Sequence, residues 1–186
     1  MKKISKKTLN SSFWRWWYGN LTCFSQEHMQ TFGYLCAMLP LVEELYDTKE
    51  EQKEAMNTYT AFFNTEPQVG SIIVGITAGL EEAKANGNED IDAEAINGIR
   101  AGLMGPLAGI GDSLAGGVIY PIGISLGCTL ALQGNFSGPV IFFLMFTGIM
   151  LVLGYNLYFM GYKKGSNAVM ALLGEGGNSL TKLTDA

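Results

Sequence analysis

Charge is what this 186-residue chain has least of where it matters most. Of its 12 basic and 17 acidic residues, a single one, Asp112, falls between Ala101 and Tyr162. Charged residues make up 16% of the whole, against about a quarter in soluble domains. The formal net charge is -5, and no basic stripe is present to offset a phosphate backbone, so no nucleic-acid partner is expected. Histidine and cysteine are also scarce. His28 stands alone, which leaves metal or Ser-His-Asp chemistry without its parts. Cys23, Cys36 and Cys128 form no CxxC pair and no disulfide framework, and read as small apolar fillers. No catalytic residue, metal or cofactor is expected.

What the chain does have is glycine, 24 residues without a collagen period, and 48% hydrophobic residues. Segregating the charges away from one long apolar block is what lipid solvation demands. The pattern predicts an all-α membrane protein: short re-entrant or interfacial helices followed by a transmembrane helical hairpin.

Along the chain, residues 1–100 read as N-terminal interfacial and re-entrant helices with water-facing segments. Lys2, Lys3, Lys6, Lys7 and Arg15 surround the cluster Phe13-Trp14-Arg15-Trp16-Trp17-Tyr18. The lysines are not followed by the apolar run of a signal peptide. Tryptophan, tyrosine and basic residues together favour the membrane–water interface, with an aromatic core patch as the alternative. Met29 to Val42, ending at Pro40 and Glu43-Glu44, is too short to cross about 30 Å of hydrocarbon. Thr48 to Phe63 begins as a solvated helix with lysines among glutamates. Pro67 opens a second short apolar stretch, Val69 to Leu80. Glu81 to Glu94 is expected to return to water, and a weakly apolar helix to run from about Ala93 to Met104.

Residues 101–113, rich in glycine, read as a break, with Gly105, Pro106, Gly109 and Gly111 forming a loop near the bilayer midplane. The spacing fits neither a dinucleotide fingerprint nor a P-loop. A hairpin follows over 114–162: Leu114 to Leu132, kinked at Pro121, a polar turn over 133–138, and Pro139 to Tyr162 as the surest span. Residues 163–186 are expected to be a polar, flexible cytoplasmic tail. Lysines at both ends and none in the turn put the N-terminus in the cytoplasm. Glycines four apart, at 75/79, 98/102, 105/109 and 123/127, suit close helix approach.

Three stretches carry a resemblance: Phe62-Phe63-Asn64-Thr65-Glu66-Pro67, Ala95-Ile96-Asn97-Gly98-Ile99-Arg100, and Leu103-Met104-Gly105-Pro106-Leu107-Ala108-Gly109-Ile110-Gly111-Asp112-Ser113. With Gln26-Glu27-His28-Met29-Gln30-Thr31-Phe32-Gly33 behind the aromatic block, they resemble the IID component of the mannose-type phosphoenolpyruvate-dependent sugar phosphotransferase system. The resemblance covers nearly the whole chain. It implies a multi-pass subunit of a bacterial cell membrane, pairing with a IIC subunit in a hetero-oligomer of several copies to translocate a hexose or amino sugar. Cytoplasmic IIA and IIB proteins would carry the phosphate, so this subunit needs no nucleophile. Further apolar segments of the family are missing after Ala186, which makes the chain read as a C-terminally truncated form.

Candidate sugar-binding or structural residues are Asn64, Glu66, Gln68, Asn97, Asp112 and Ser113. A carboxylate at the membrane centre costs about 2.5–3.5 kcal/mol and faces a cavity or a partner. Asp112 is read either as an acceptor for sugar hydroxyls or, with Ser113, as the N-cap of a helix starting at Leu114. Asn64, Glu66 and Gln68 are read as lining a sugar path or as a polar corner satisfying loose backbone groups. Asn97 and Arg100 belong to a subunit interface or to a snorkelling face.

Overall fold

The computed structural model describes residues 1–174, with side chains through Gly165, and the rest of the expected tail lies outside the described residues. Seven α-helices run α1 (Lys6–Thr22), α2 (Thr31–Leu45), α3 (Lys49–Asn57), α4 (Ser71–Ala85), α5 (Ala93–Leu114), α6 (Tyr120–Leu132) and α7 (Ser137–Gly174). Among the described residues β structure is limited to isolated bridges at Ser25–Met29 and Met29–Phe63.

Local signals set most boundaries. Ser5 caps α1 by accepting from Thr8 N–H, and Asp92 caps α5 by accepting from Ala95 N–H at 2.7 Å. Thr48 and Glu51 form a reciprocal capping box on α3. Gly134, at φ +75°, turns the chain out of α6, with Asn135 N–H reaching back to the Leu130 carbonyl.

α1, α2 and α4 enclose an aromatic core holding Phe13, Trp16, Tyr34, Tyr59 and Phe63, each essentially inaccessible. The aromatic cluster of α1 is therefore divided. Phe13 and Trp16 belong to the core, whereas Trp14 and Tyr18 are 38% and 65% exposed. The core reading holds for Phe13 and Trp16, and Trp14 and Tyr18 face out of the body, because these spacings fall on opposite faces of a helix.

Two rods leave this body. Ala93–Leu132 is helical throughout, 40 residues, and Ser137–Gly165 gives a further 29; both have windows apolar enough to cross a membrane. Only 11% of each window is buried within the chain, so neither is the core helix of a soluble fold.

Several expectations need correction. Residues 101–113 are not a break: they continue α5, and Gly105, Pro106, Gly109 and Gly111 are helical. Pro106 forfeits one hydrogen bond, to the Gly102 carbonyl, without ending the helix. The irregularity lies further on, as a π-helical turn over Ala115–Ile119. It contains Gly116 and Gly117 and precedes Pro121, whose ring would otherwise meet the Gly117 carbonyl. Asp112 and Ser113 thus lie inside a helix and cap nothing at Leu114. α2 likewise runs through Pro40 to Leu45. The helix α7 continues past Lys163-Lys164 to Gly174, where a flexible tail was expected. Glu81 is wholly buried although its segment was expected in water, and Cys36 and Cys128 are exposed although expected as buried fillers.

Glycine holds the body to the hairpin. A Cβ built on Gly75 would collide with the Tyr158 carbonyl, and one on Gly161 with the Ile72 carbonyl. One on Gly165 would come within 2.6 Å of the Ile76 oxygen. These three contacts form a reciprocal seam between α4 and α7. Gly123, Gly127 and Gly138 play the same part between α6 and α7. The pairs 98/102 and 105/109, by contrast, face nothing within 4 Å among the described residues. Gly161→Leu is accordingly expected to destabilise the detergent-solubilised chain by about 1–3 kcal/mol or more, as overpacked cores are. Gly109→Leu should leave the melting temperature unchanged, and thermal unfolding followed by circular dichroism compares the two.

Candidate functional site at the 64–71 corner

The chain between Tyr59 and α4 is extended, and its backbone bonds are supplied by α2. The Gln30 side chain pairs with Thr65 in both directions: its Nε2 donates to the Thr65 carbonyl at 2.9 Å, and its Oε1 accepts from Thr65 N–H at 3.0 Å. Gln30 N–H donates to the Phe63 carbonyl, and Thr31 Oγ1 accepts from Phe63 N–H, both at 3.0 Å. From α1, Trp16 Nε1 donates to the Pro67 carbonyl at 3.0 Å. An amide side chain with both groups used is a rigid clamp. Gln30 and Trp16 are site-forming residues that sequence reading did not single out.

Held this way, the corner is a wedge between the two rods. On one side Thr65 Oγ1 donates to the Met104 carbonyl at 3.2 Å, and Gly111 receives the Glu66 side chain, where a Cβ would lie 2.5 Å from Glu66 Cβ. On the other side Ser71 Oγ donates at 2.7 Å to the carbonyl of Gly154 in α7. Gly111 therefore contributes as the notch that admits Glu66, not as a loop former.

Glu66 is 5% exposed, and its Oε2 accepts from Val69 N–H at 2.6 Å. Burial pushes its carboxyl above the usual glutamate range, and the nearby Asp112 charge pushes it the same way; hydrogen bonds from Val69 and Gln68 N–H oppose the rise. Asn64 is exposed, Gln68 is half-buried, and Asp112 and Ser113 are exposed on α5. At this junction the fold sets Glu66 beside Gly111 and Asp112 of α5, while Asn64 N–H meets Met104 Sδ at 3.4 Å and the Gln68 carbonyl faces Gly154 of α7. Twenty residues separate Asp112 from Leu132, about 30 Å of helix. That matches the hydrocarbon thickness, so the uncharged stretch after Asp112 is long enough to cross the layer by itself.

Asn97 is not part of this junction. Fourteen residues before Gly111 on α5, about 21 Å away, its Oδ1 accepts from Arg100 Nη1 at 2.5 Å. Arg100 is 2% exposed, neither snorkelling nor on an outer face. Its Nη1 also donates to the Thr58 carbonyl, its Nη2 donates to the Ala61 carbonyl, and its guanidinium lies 4.4 Å from the Tyr34 ring centre. Its Nε has no acceptor among the described residues. Beside it, buried Glu81 accepts from Tyr59 and, at 2.5 Å, from Tyr46 hydroxyls, while Tyr34 donates to Thr77 at 2.6 Å. Burial first, and then the hydrogen bond to Glu81 together with its charge, raise the Tyr46 and Tyr59 phenols, which stay protonated donors. The spacing Ile73, Thr77, Glu81 carried the missed signal, since it continues the apolar face of α4 at four-residue steps.

These features define a class: an all-α membrane subunit with a helical body wedged against two long apolar rods. The family model described as the PTS system mannose/fructose/sorbose family IID component matches residues 3–186, and the chain belongs to that family. The sorbose-specific EIID component of Klebsiella pneumoniae is 42% identical over 186 residues, covering 99% of this chain and 65% of that protein. The mannose-specific EIID component of Escherichia coli K12 is 40% identical over 187 residues, 99% and 64%. The fructose permease IID component of Bacillus subtilis is 39% identical, 99% and 65%. A chain in the cryoEM structure of the mannose transporter ManYZ with microcin E492 superposes with a TM-score of 0.88 at 39% identity, covering 100% of this chain and 66% of that one. The chain thus spans about 65% of the length of the curated relatives it matches.

Because the folded pKa of Glu66 is raised, its contribution to stability is complete below the unfolded value, about 4.3, and is lost as pH rises through the folded one. Glu66→Gln keeps an acceptor for Val69 and removes the charge. Its melting temperature is expected to match the wild type near pH 4 and to exceed it at pH 8, as read by thermal melts of both proteins in one detergent.

Proposed function

We propose that this mannose-type IID membrane subunit forms, with a IIC partner, the unit that translocates a hexose or amino sugar across a bacterial membrane. IIA and IIB proteins phosphorylate the sugar, the N-terminus is cytoplasmic, and the assembly holds several copies of each membrane subunit. The observation that carries the reading is the polar corner over Asn64, Glu66 and Gln68, with Asp112 beside buried Glu66 and the Asn64 amide and Asp112 carboxylate exposed along α5. Amides and carboxylates are the groups that hold neutral sugars through paired hydrogen bonds. The sugars named for the relatives, sorbose, mannose and fructose, support the substrate class.

A second reading has its own support. Thr65 and Glu66 spend their polar groups on the Met104 carbonyl and on Val69 N–H. A corner used that way serves to anchor and orient IIC without touching sugar. Asp112→Asn separates the two, introduced into the complete subunit together with its IIC partner. Direct contact predicts labelled-hexose uptake lowered at least tenfold with IIC still co-purifying. Unchanged uptake with intact assembly assigns the corner to the anchoring role.

A further inference from the structure

We propose that the solvent-facing side of α1 is a binding surface for anionic phospholipid, held at the membrane interface by Trp14, Tyr18 and Leu21. These three residues are exposed, and the Trp14 and Tyr18 rings stack at 5.8 Å. At 100° per residue they share one arc with Lys7, and Arg15 flanks it. The opposite arc, centred on Trp16, is the part buried in the core.

The depth of this surface follows from α7. Twenty residues from the start of α7 at Ser137 span about 30 Å of hydrocarbon and reach Asn156. At that level Tyr155 donates to Asn10 Oδ1 of α1 at 2.9 Å, and its ring packs edge-on against Phe13. α1 therefore meets the rod where hydrocarbon gives way to headgroups. Its exposed aromatic edge is continuous with the exposed Val152 and Tyr155 of α7. Aromatic rings of this kind settle at headgroup level.

The charges specify the lipid. Lys3, Lys6, Lys7 and Arg15 are exposed and make no ion pair among the described residues, whereas Lys2 is engaged by Asp47 at 2.9 Å. The first turn of α1 carries no acidic residue. Lysines at a helix N-terminus have the wrong sign for the helix dipole, so within the protein they are a cost. An anionic surface beneath them reverses that, and each cation near such a surface is attracted to it. The occupant is the phosphodiester headgroup of an acidic lipid in the bilayer, not a soluble phosphate.

Tryptophan quenching tests this in the full chain reconstituted into vesicles with brominated phosphatidylglycerol or brominated phosphatidylcholine as the quencher in an otherwise identical mixture. Quenching by the brominated phosphatidylglycerol is expected to be at least twofold stronger. Lys3→Gln, Lys7→Gln and Arg15→Gln together should bring the ratio to one, with the helical circular-dichroism signal retained. With half-buried Trp17 replaced by Phe throughout, Trp14→Phe should remove most of the quenching, since Trp16 is buried. Added inorganic phosphate at millimolar concentration should leave the ratio unchanged at constant ionic strength. Equal quenching by the two lipids, a preference that survives the triple substitution, or quenching that survives Trp14→Phe overturns the proposal. So does loss of the preference on adding phosphate.

Discussion

Everything else in this molecule depends on how closely α4 approaches α7. Lipid tails are as apolar as leucine, so hydrophobic burial does little to draw membrane helices together, and contact between backbones has to serve instead. Gly75, Gly161 and Gly165 let the Tyr158, Ile72 and Ile76 carbonyls come within the space a side chain would fill. That seam sets α7 against the body. It also places Gly154 where Ser71 can donate to it, and so positions the whole 64–71 corner.

Inside the body, two ionisable side chains are buried about as deeply as a fold permits, Glu81 at 0% and Arg100 at 2% exposure. Among the described residues no hydrogen bond or ion pair joins the two. Neutral groups surround each: tyrosine hydroxyls for the carboxylate, which also has Lys84 at 3.9 Å, and backbone carbonyls and an aromatic face for the guanidinium. A charge so surrounded is stabilised by oriented dipoles and is costly to truncate, because its partners would be left buried without it. The network ties α2, α4, α5 and the link after α3 into one body, with Tyr34 and Tyr59 lying between the two charges.

The sequence carried the membrane character, the hairpin and its turn, because these rest on local composition: an uncharged block, a polar interruption, an aromatic-rich run. It carried the corner as well, since Pro67 and its polar neighbours leave few alternatives to a bend. The helix through Gly105 and Pro106 was not legible. Glycine and proline signal a break by local preference, which tertiary contact overrides: Thr65 and Glu66 pack against α5 at Met104 and Gly111. Nor could spacing alone tell the glycine pairs apart. Pairs at 75/79 and 123/127 contain buried seam residues, while 98/102 and 105/109 stand open, and only tertiary contact distinguishes them. Glu81 was misread because a carboxylate followed by Glu82 and Lys84 looks solvated until Tyr46 and Tyr59, more than 20 residues upstream, are brought onto it.

The continuous rod from Ala93 to Leu132 has a further consequence, one of hydrophobic mismatch. Its 40 residues extend for about 60 Å, twice the hydrocarbon thickness, and lying wholly within that layer would take a tilt of about 60°, beyond the range of about 0–40° that spanning helices adopt. The bilayer therefore meets this rod as two objects. From the π-helical turn outward it is an apolar anchor of ordinary length. The charges Glu94, Arg100 and Asp112 all fall in the rod's first 20 residues, so the uncharged end from the π-helical turn outward is the part that suits hydrocarbon.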